Sequence, residues 1–185
     1  MSSTFQKTTH FTRWSSGVEI AAPLELYQCP VEPEWIDYNG HMTESRYLWA
    51  FGEASDALFR FVGIDDDYRA SGSSFYTVET HINYYREAAE GAPLRFTTQL
   101  LDLDEKRVHL FHEMYHFETG ALLATTEQML VHVDMRASAA APITPSVLAA
   151  LNAIMEVHRN MPAPEQVGRQ MRIERRMKAE VGSGK

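Results

Sequence analysis

Between positions 43 and 62 the apolar residues recur at spacings of three and four. Tyr47, Ala50, Phe51, Ala54, Ala57, Leu58 and Phe61 form one stripe, and Leu48, Ser55, Phe59 and Val62 widen it. The polar stripe, Arg46, Glu53, Asp56 and Arg60, is narrow. This period is that of an α-helix, and a helix apolar over so much of its circumference belongs inside other structure. Thr43 stands where a capping residue belongs, and Gly63 where a left-handed terminal residue belongs. The pattern predicts a long core helix over 43–62.

Strand-like segments surround it. Residues 24–32 read as a first strand, and 75–86, 94–103, 107–117 and 121–134 are rich in Val, Thr, Tyr and Phe. Turn signals separate the last four: Glu90-Gly91-Ala92-Pro93, Asp104-Glu105-Lys106 and Thr119-Gly120. Connections of hairpin length predict an antiparallel meander. The fold class is therefore α+β, an antiparallel sheet with the long helix packed on one face. Beyond Asp134 an Ala/Ser/Pro linker leads to a helix over 146–159, which Pro162 and Pro164 end. A basic helical tail with Arg169, Arg172, Arg175, Arg176 and Lys178 reads as a solvated face. Residues 1–23 read as a frayed extension, 24–134 as the folded domain, and 135–185 as linker and helical tail.

Composition narrows the partners. A chain of 185 residues, 44% hydrophobic, suffices for one real core. A net charge of -8 speaks against a nucleic-acid surface, which needs clustered cations. No apolar run approaches the roughly 20 residues that span a bilayer, and the N-terminus lacks a secretory apolar core. The single Cys29 has no partner for an internal disulfide, which fits a reducing compartment. These features predict a cytoplasmic protein with neither membrane nor nucleic acid as partner.

The densest chemistry lies in Trp35-Ile36-Asp37-Tyr38-Asn39-Gly40-His41-Met42-Thr43. A carboxylate, an amide, a flexible glycine and a histidine stand directly before a helix N-terminus. Unpaired N–H groups there, aided by the helix dipole, stabilise an oxyanion. A carboxylate facing such donors suits hydrolysis of a reactive acyl group, either by attacking the carbonyl or by deprotonating water. The same residues also suit purely structural roles, since Asp and Asn make side-chain turns and Thr caps helices.

The segment Asp37-Tyr-Asn-Gly-His-Met-Thr43 resembles the Asp-x-x-Gly-His-x-Asn signature of hotdog thioesterases related to 4-hydroxybenzoyl-CoA thioesterase. The likeness continues through Tyr47, Phe51, Ala54 and Asp56 to Val131-His132-Val133-Asp134, covering residues 24–134. It implies a hotdog fold, an antiparallel sheet wrapped around the long central helix. It implies Asp37 as the catalytic carboxylate and the backbone N–H of Glu44 as oxyanion donor. Asn39 and His41 then shape the loop or orient water. Thr43 departs from the commonest Asn. The resemblance further implies a homodimer or higher homo-oligomer, because such folds pair sheets edge to edge and build sites between subunits.

Three stretches, Tyr38–Tyr47, Tyr76–Ile82 and Leu123–Met129, are similar to the betainyl-CoA thioesterases of carnitine catabolism. That narrower likeness implies an acyl-CoA substrate whose acyl group carries a quaternary ammonium. Aromatic faces and a carboxylate suit such a cation, and Trp35, Tyr47, Trp49, Tyr76, Tyr84 and Glu79 are the candidates. Lys106 and Arg107, with Arg86, are candidates for the CoA phosphates. Another acyl-CoA, aromatic or medium-chain, and a non-hydrolytic acyl-CoA-binding module remain alternative readings. A hotdog dehydratase, which needs a catalytic His near the central helix, has only His41 in its favour. No cofactor is implied. His112 and His116 point to one face of a strand and His109 to the other, and with His132 they lack zinc-site spacing, so no metal is expected. A Gly-x-Ser-x-Gly elbow is absent.

Overall fold

The computed structural model describes residues 5–9 and 12–173. Its elements in chain order are β1 (Thr8–Thr9), β2 (Leu24–Pro30), a single 3-10 turn (Pro33–Trp35), α1 (Glu44–Val62), α2 (Asp66–Ala70), β3 (Ser73–Tyr84), β4 (Pro93–Leu103), β5 (Arg107–His116), β6 (Leu122–Asp134), β7 (Ala139–Ala140) and α3 (Pro145–His158).

Helix α1 follows its sequence pattern closely. The whole first stripe is buried, together with Ser55 and Val62, while Leu48 on its flank is exposed. Gly63 ends the helix at φ 96°, and its N–H reaches the carbonyls of Arg60 and Phe59, as a left-handed terminal glycine does. The start differs from expectation. Thr43 holds the N-cap position with extended backbone, but its side chain makes no capping bond. Its own N–H donates to Trp35 O at 2.9 Å, and Met42 N–H donates to Ala88 O at 2.8 Å. Long-range backbone bonds hold the entrance to the helix in place of a local cap.

The strands form one antiparallel sheet in the order β1-β2-β4-β5-β6-β3, with β7 beside β6. Strands β4, β5 and β6 make the expected meander, but β3 does not join it through a hairpin. It pairs with β6 instead, from Ser73 opposite Asp134 to Tyr84 opposite Ala124. The reason lies in residues 85–92, which are too many for a tight turn and have their own partners elsewhere. Met42 bonds Ala88, Gly91 N–H donates to Val31 O at 2.9 Å, and Val31 N–H returns to Ala92 O at 2.9 Å. This segment carries the chain past the start of α1 to the end of β2.

The two ends of the chain also depart from expectation. The sequence predicts a frayed extension over 1–23, yet Thr8–Thr9 pair with Gln28 and Tyr27, and Trp14 N–H donates to Phe61 O at 2.8 Å. Trp14 and Ile20 pack against the core, so apolar burial draws the segment in. Helix α3 begins at Pro145, a residue suited to the first helical position, and buries Val147, Ala150, Leu151 and Ile154 in that core. His158 near its end accepts Leu100 N–H at Nδ1 (2.9 Å) and donates from Nε2 to Ala21 O (3.0 Å), tying both ends to β4. After the helix, 169–173 are not helical, contrary to the predicted tail. The rest of that tail, with Arg175, Arg176 and Lys178, lies outside the described residues. No helix among the described residues is long and apolar enough to cross a membrane.

A buried polar cluster around His112, with Ser55, Thr98 and Gln128, interrupts the packing of α1 on the sheet. His112, fully buried, stacks beneath Phe51 with ring centroids 6.1 Å apart. Its Nε2 lies 3.0 Å from Ser55 Oγ and its Nδ1 2.8 Å from Thr98 Oγ1. Hydroxyls suit both nitrogens of a neutral imidazole, one donating and one accepting. Burial pushes its pKa down from 6.5 to about 3. The unfolded chain therefore takes up a proton below about pH 6.5 that the folded chain refuses until about pH 3, so stability falls as pH falls through that window. In urea titrations, His112 is expected to account for about 2 kcal/mol of lost stability between pH 7 and 5. A His112→Gln variant, less stable at pH 7, should close on wild type by that amount. Parallel pH dependences of the two proteins would contradict a neutral buried imidazole.

Candidate active site

The loop before α1 is a closed turn. Ile36 and Met42 form an isolated antiparallel bridge, Asp37 N–H donates to His41 O at 2.9 Å, and Gly40 N–H donates to Asp37 O at 3.0 Å. Residues 37–40 thus make a four-residue turn with its i to i+3 bond. Asp37 Oδ1 accepts Asn39 N–H at 2.7 Å, a side-chain turn of the kind short acids favour. Gly40 sits at φ 81°, where a glycine is unstrained. Tyr38 projects into solvent at 96% exposure, whereas Asp37 is half-buried. Beyond the turn, the Met42–Ala88 and Thr43–Trp35 bonds pin the chain as it enters the helix. His41 Nε2 lies 3.3 Å from Glu87 Oε2 on the crossing segment.

Glu44 is the exposed first residue of α1. Arg46 N–H is taken by Thr43 O at 2.9 Å, which leaves the N–H groups of Glu44 and Ser45 outside the helical ladder. Such donors carry the positive end of the helix dipole. Two tyrosines flank this end. Tyr47 is buried and donates from its hydroxyl to Arg86 O at 3.2 Å, while the Tyr84 hydroxyl donates to Glu44 O at 3.3 Å. Their rings meet edge to face, 5.3 Å apart. Burial raises the pKa of both hydroxyls, so both remain donors at neutral pH. Trp35 is buried and meets Trp49 edge to face at 5.1 Å.

The candidates therefore divide. Asp37, Asn39 and His41 share one turn, Glu44 and Tyr47 share the helix start that follows, and Trp35 and Trp49 form a pair beside them. Tyr76 and Glu79 lie apart, on the exposed stretch 76–80 of β3. Counting from Tyr84 at about 3.3 Å per residue, they sit roughly 26 and 17 Å along the strand from the helix start. Lys106 and Arg107 are farther still. Strand β4 leaves the loop end of the sheet at Pro93, opposite Pro30, and the turn bearing them lies roughly 33 Å along it. Arg107 binds Asp104 through Nε at 2.7 Å and Nη2 at 2.6 Å. Those bonds and the Lys106 and Arg107 N–H groups draw the Asp104 carboxyl down to about 2. Lys106 Nζ is 3.9 Å from Glu105.

Glu87 and the carbonyls of Arg86 and Ala88 also contribute to the loop, and the sequence reading did not foresee them. They reach it from an aperiodic connection that carries no local signal. The histidines are engaged separately: His109 with Glu127 at 2.8 Å, His132 with the Tyr68 hydroxyl at 2.7 Å, and His112 as above. Among the described residues, no three His, Cys, Asp or Glu side chains gather as for a metal ion.

The family model of the thioesterase-like superfamily matches residues 31–151. The chain belongs to that superfamily, and its sheet and central helix are the hotdog fold. Among curated relatives, a betainyl-CoA thioesterase of Pseudomonas aeruginosa is 46% identical over 147 residues, 79% of this chain and 92% of that protein. An L-carnitine dehydrogenase/betainyl-CoA thioesterase of Rhizobium meliloti is 45% identical over 155 residues, 84% of this chain. The chain spans only 31% of that second relative's length. A Staphylococcus aureus protein solved in complex with CoA superposes with a TM-score of 0.74 at 25% identity, covering 85% of this chain and 100% of that one.

The turn's rigidity can be measured. A Cβ at Gly40 meets nothing within 4 Å, so the cost of Gly40→Ala is purely conformational, about 1 kcal/mol. Gly52, in mid-helix and equally open, is the control. Gly52→Ala should stabilise by about 0.5–1 kcal/mol in urea unfolding. Equal effects at the two sites would remove the argument for a left-handed turn.

Proposed function

We propose that the chain hydrolyses betainyl-CoA to glycine betaine and CoA, a step of carnitine catabolism. The observation that carries this reading is the half-buried Asp37 carboxylate, fixed on a closed turn just ahead of the unladdered N–H groups of α1. Asp37 either attacks the thioester carbonyl or takes the proton of an attacking water. The N–H of Glu44 receives the charge that develops on the carbonyl oxygen. When water attacks, the C–S bond breaks and the proton taken by Asp37 passes to the leaving CoA thiolate. When Asp37 attacks, CoA leaves as the thiolate, and water then hydrolyses the mixed anhydride, releasing glycine betaine, the free carboxylate and a proton that the thiolate takes up. Asn39 holds the carboxylate through its N–H, and His41 steadies the loop through Glu87. The likeness to the Pseudomonas aeruginosa betainyl-CoA thioesterase across 92% of its length supports this substrate. CoA thioesters are intracellular, and we assign the activity to the cytoplasm.

The reading includes a homodimer. Among the described residues, strand β3 is an edge bonded only to β6, and residues 76–80 are all exposed, with Tyr76 at 52% and Val78 at 60%. An open edge of this length invites pairing with a second copy. Such pairing carries Tyr76 and Glu79 to the shared interface. Lys106 and Arg107 remain the proposed contacts to CoA phosphates, in exchange for their carboxylate partners. A second reading has its own observation: the Asp37–Asn39 bond is also what a structural aspartate makes, as in a module that binds acyl-CoA without cleaving it.

Thiol release from betainyl-, acetyl-, octanoyl- and 4-hydroxybenzoyl-CoA separates these readings. Betainyl-CoA should give the highest kcat/KM, and Asp37→Asn should lower kcat by about a thousandfold while the circular dichroism spectrum stays native. Preference for another thioester would move the substrate, and binding without release would favour the non-hydrolytic module. In sedimentation, wild type should run as a dimer or larger, and Val78→Lys should shift it toward monomer. A monomeric wild type at micromolar concentration would remove the edge-pairing proposal.

A further inference from the structure

The N-terminal extension carries a cation into an aromatic box. Lys7 Nζ stands 5.6 Å from the ring centroids of both Tyr27 and Trp49, within the range of cation–π attraction. It also donates to Glu53 Oε2 at 2.7 Å. Trp35 packs edge-on to Trp49 and completes the aromatic wall. The cavity they line measures about 310 Å³, and Glu32 and Glu34 add two carboxylates to its lining against the one further cation of Arg46. Tyr27 is only 3% exposed, and its hydroxyl has no partner better than the neighbouring Cys29 thiol, a weak one. This is an environment built for positive charge on an apolar surface.

The lysine is a loose occupant. Its side chain is 48% exposed, and the extension is tied beside the box by the two-residue pairing of Thr8–Thr9 with Gln28 and Tyr27. A quaternary ammonium has no N–H to desolvate and spreads its charge over methyl groups, so aromatic faces and nearby carboxylates suit it better than a primary ammonium. The box also adjoins the proposed catalytic loop. Trp35 accepts Thr43 N–H through its carbonyl, and Arg46 of the first turn of α1 lines the same cavity.

We propose that this box binds a quaternary ammonium group and that Lys7 is its resident, displaceable cation. The inference rests on the betainyl reading of the substrate and locates the positive charge of that group. The charge has two possible sources, the acyl group of the thioester and free glycine betaine.

Saturation-transfer NMR on the methyl resonance of tetramethylammonium, titrated into the full chain, tests the box without any hydrolysis. The expected result is saturable binding that tert-butanol, the uncharged isostere, does not share. Lys7→Met should tighten it at least threefold by removing the competing cation, and Trp49→Leu should weaken it at least tenfold. Absence of saturable binding, an equal response to tert-butanol, or weaker binding in Lys7→Met would each overturn the proposal. Kinetics then assign the source. If tetramethylammonium raises the KM for betainyl-CoA, the box holds the acyl group; if it saturates the box and leaves KM unmoved, the box holds free betaine. A chain that binds tetramethylammonium but does not cleave betainyl-CoA would refute the proposed reaction and keep the box.

Discussion

The close approach of α1 to the sheet is the constraint on which the rest of the molecule depends. Ala50, Ala54 and Ala57 are at most 1% exposed and keep the contact face of the helix thin, so that Phe51 reaches Phe96 across the interface with centroids 5.8 Å apart. Interiors packed at this density tolerate little displacement. Once α1 is seated over β2, β4, β5 and β6, the position of its N-terminus is fixed. The loop 36–42 must end there and the crossing segment 85–92 must pass beside it. Their mutual backbone bonds, Met42 to Ala88 and Thr43 to Trp35, follow from that crowding. The carboxylate of Asp37 inherits its position from helix packing, not from the turn alone.

The ends of the chain complete the same core from outside. Trp14 and Ile20 arrive from one side and the buried face of α3 from the other. His158 joins them by using each ring nitrogen once, one accepting and one donating. Burial lowers its pKa and keeps the ring neutral, the only state in which both bonds are possible. Beside these contacts the surface ion pairs count for little. The Arg69–Asp66 and Arg107–Asp104 pairs are exposed and local, and solvent screens such pairs strongly.

What the sequence made legible was what is local. The period of α1 and the apolar, β-branched strands were readable because neighbours within a few residues define them. The partner of β3 was not, because it depends on where an aperiodic connection finds its hydrogen bonds. The burial of Trp14 and the failure of Thr43 to cap are likewise tertiary outcomes. At the candidate site, Asp37, Asn39, His41 and the start of α1 could be read from one stretch, though their residue types alone favour a structural role. Glu87 could not be read, since nothing in its own surroundings marks it. Trp35 and Trp49 were named as aromatic candidates, but Lys7 and Tyr27 were not. The box they share joins segments that only the fold brings together.

The two edges of the sheet are managed differently, and the difference bears on the site. On one side Thr8–Thr9 cover part of β2, which also brings Lys7 over the aromatic pair. On the other side β3 offers twelve residues with no strand beyond it among the described residues. A monomer with that edge open would expose a ready template for pairing. Tyr76 and Glu79 lie on that edge, too far along β3 to meet the loop of their own chain. In the proposed dimer, any part they take in binding substrate is played at the second subunit's site. The residues of the proposed cation box, Lys7, Tyr27, Trp35 and Trp49, lie instead beside β2 and the first turns of α1 of one chain.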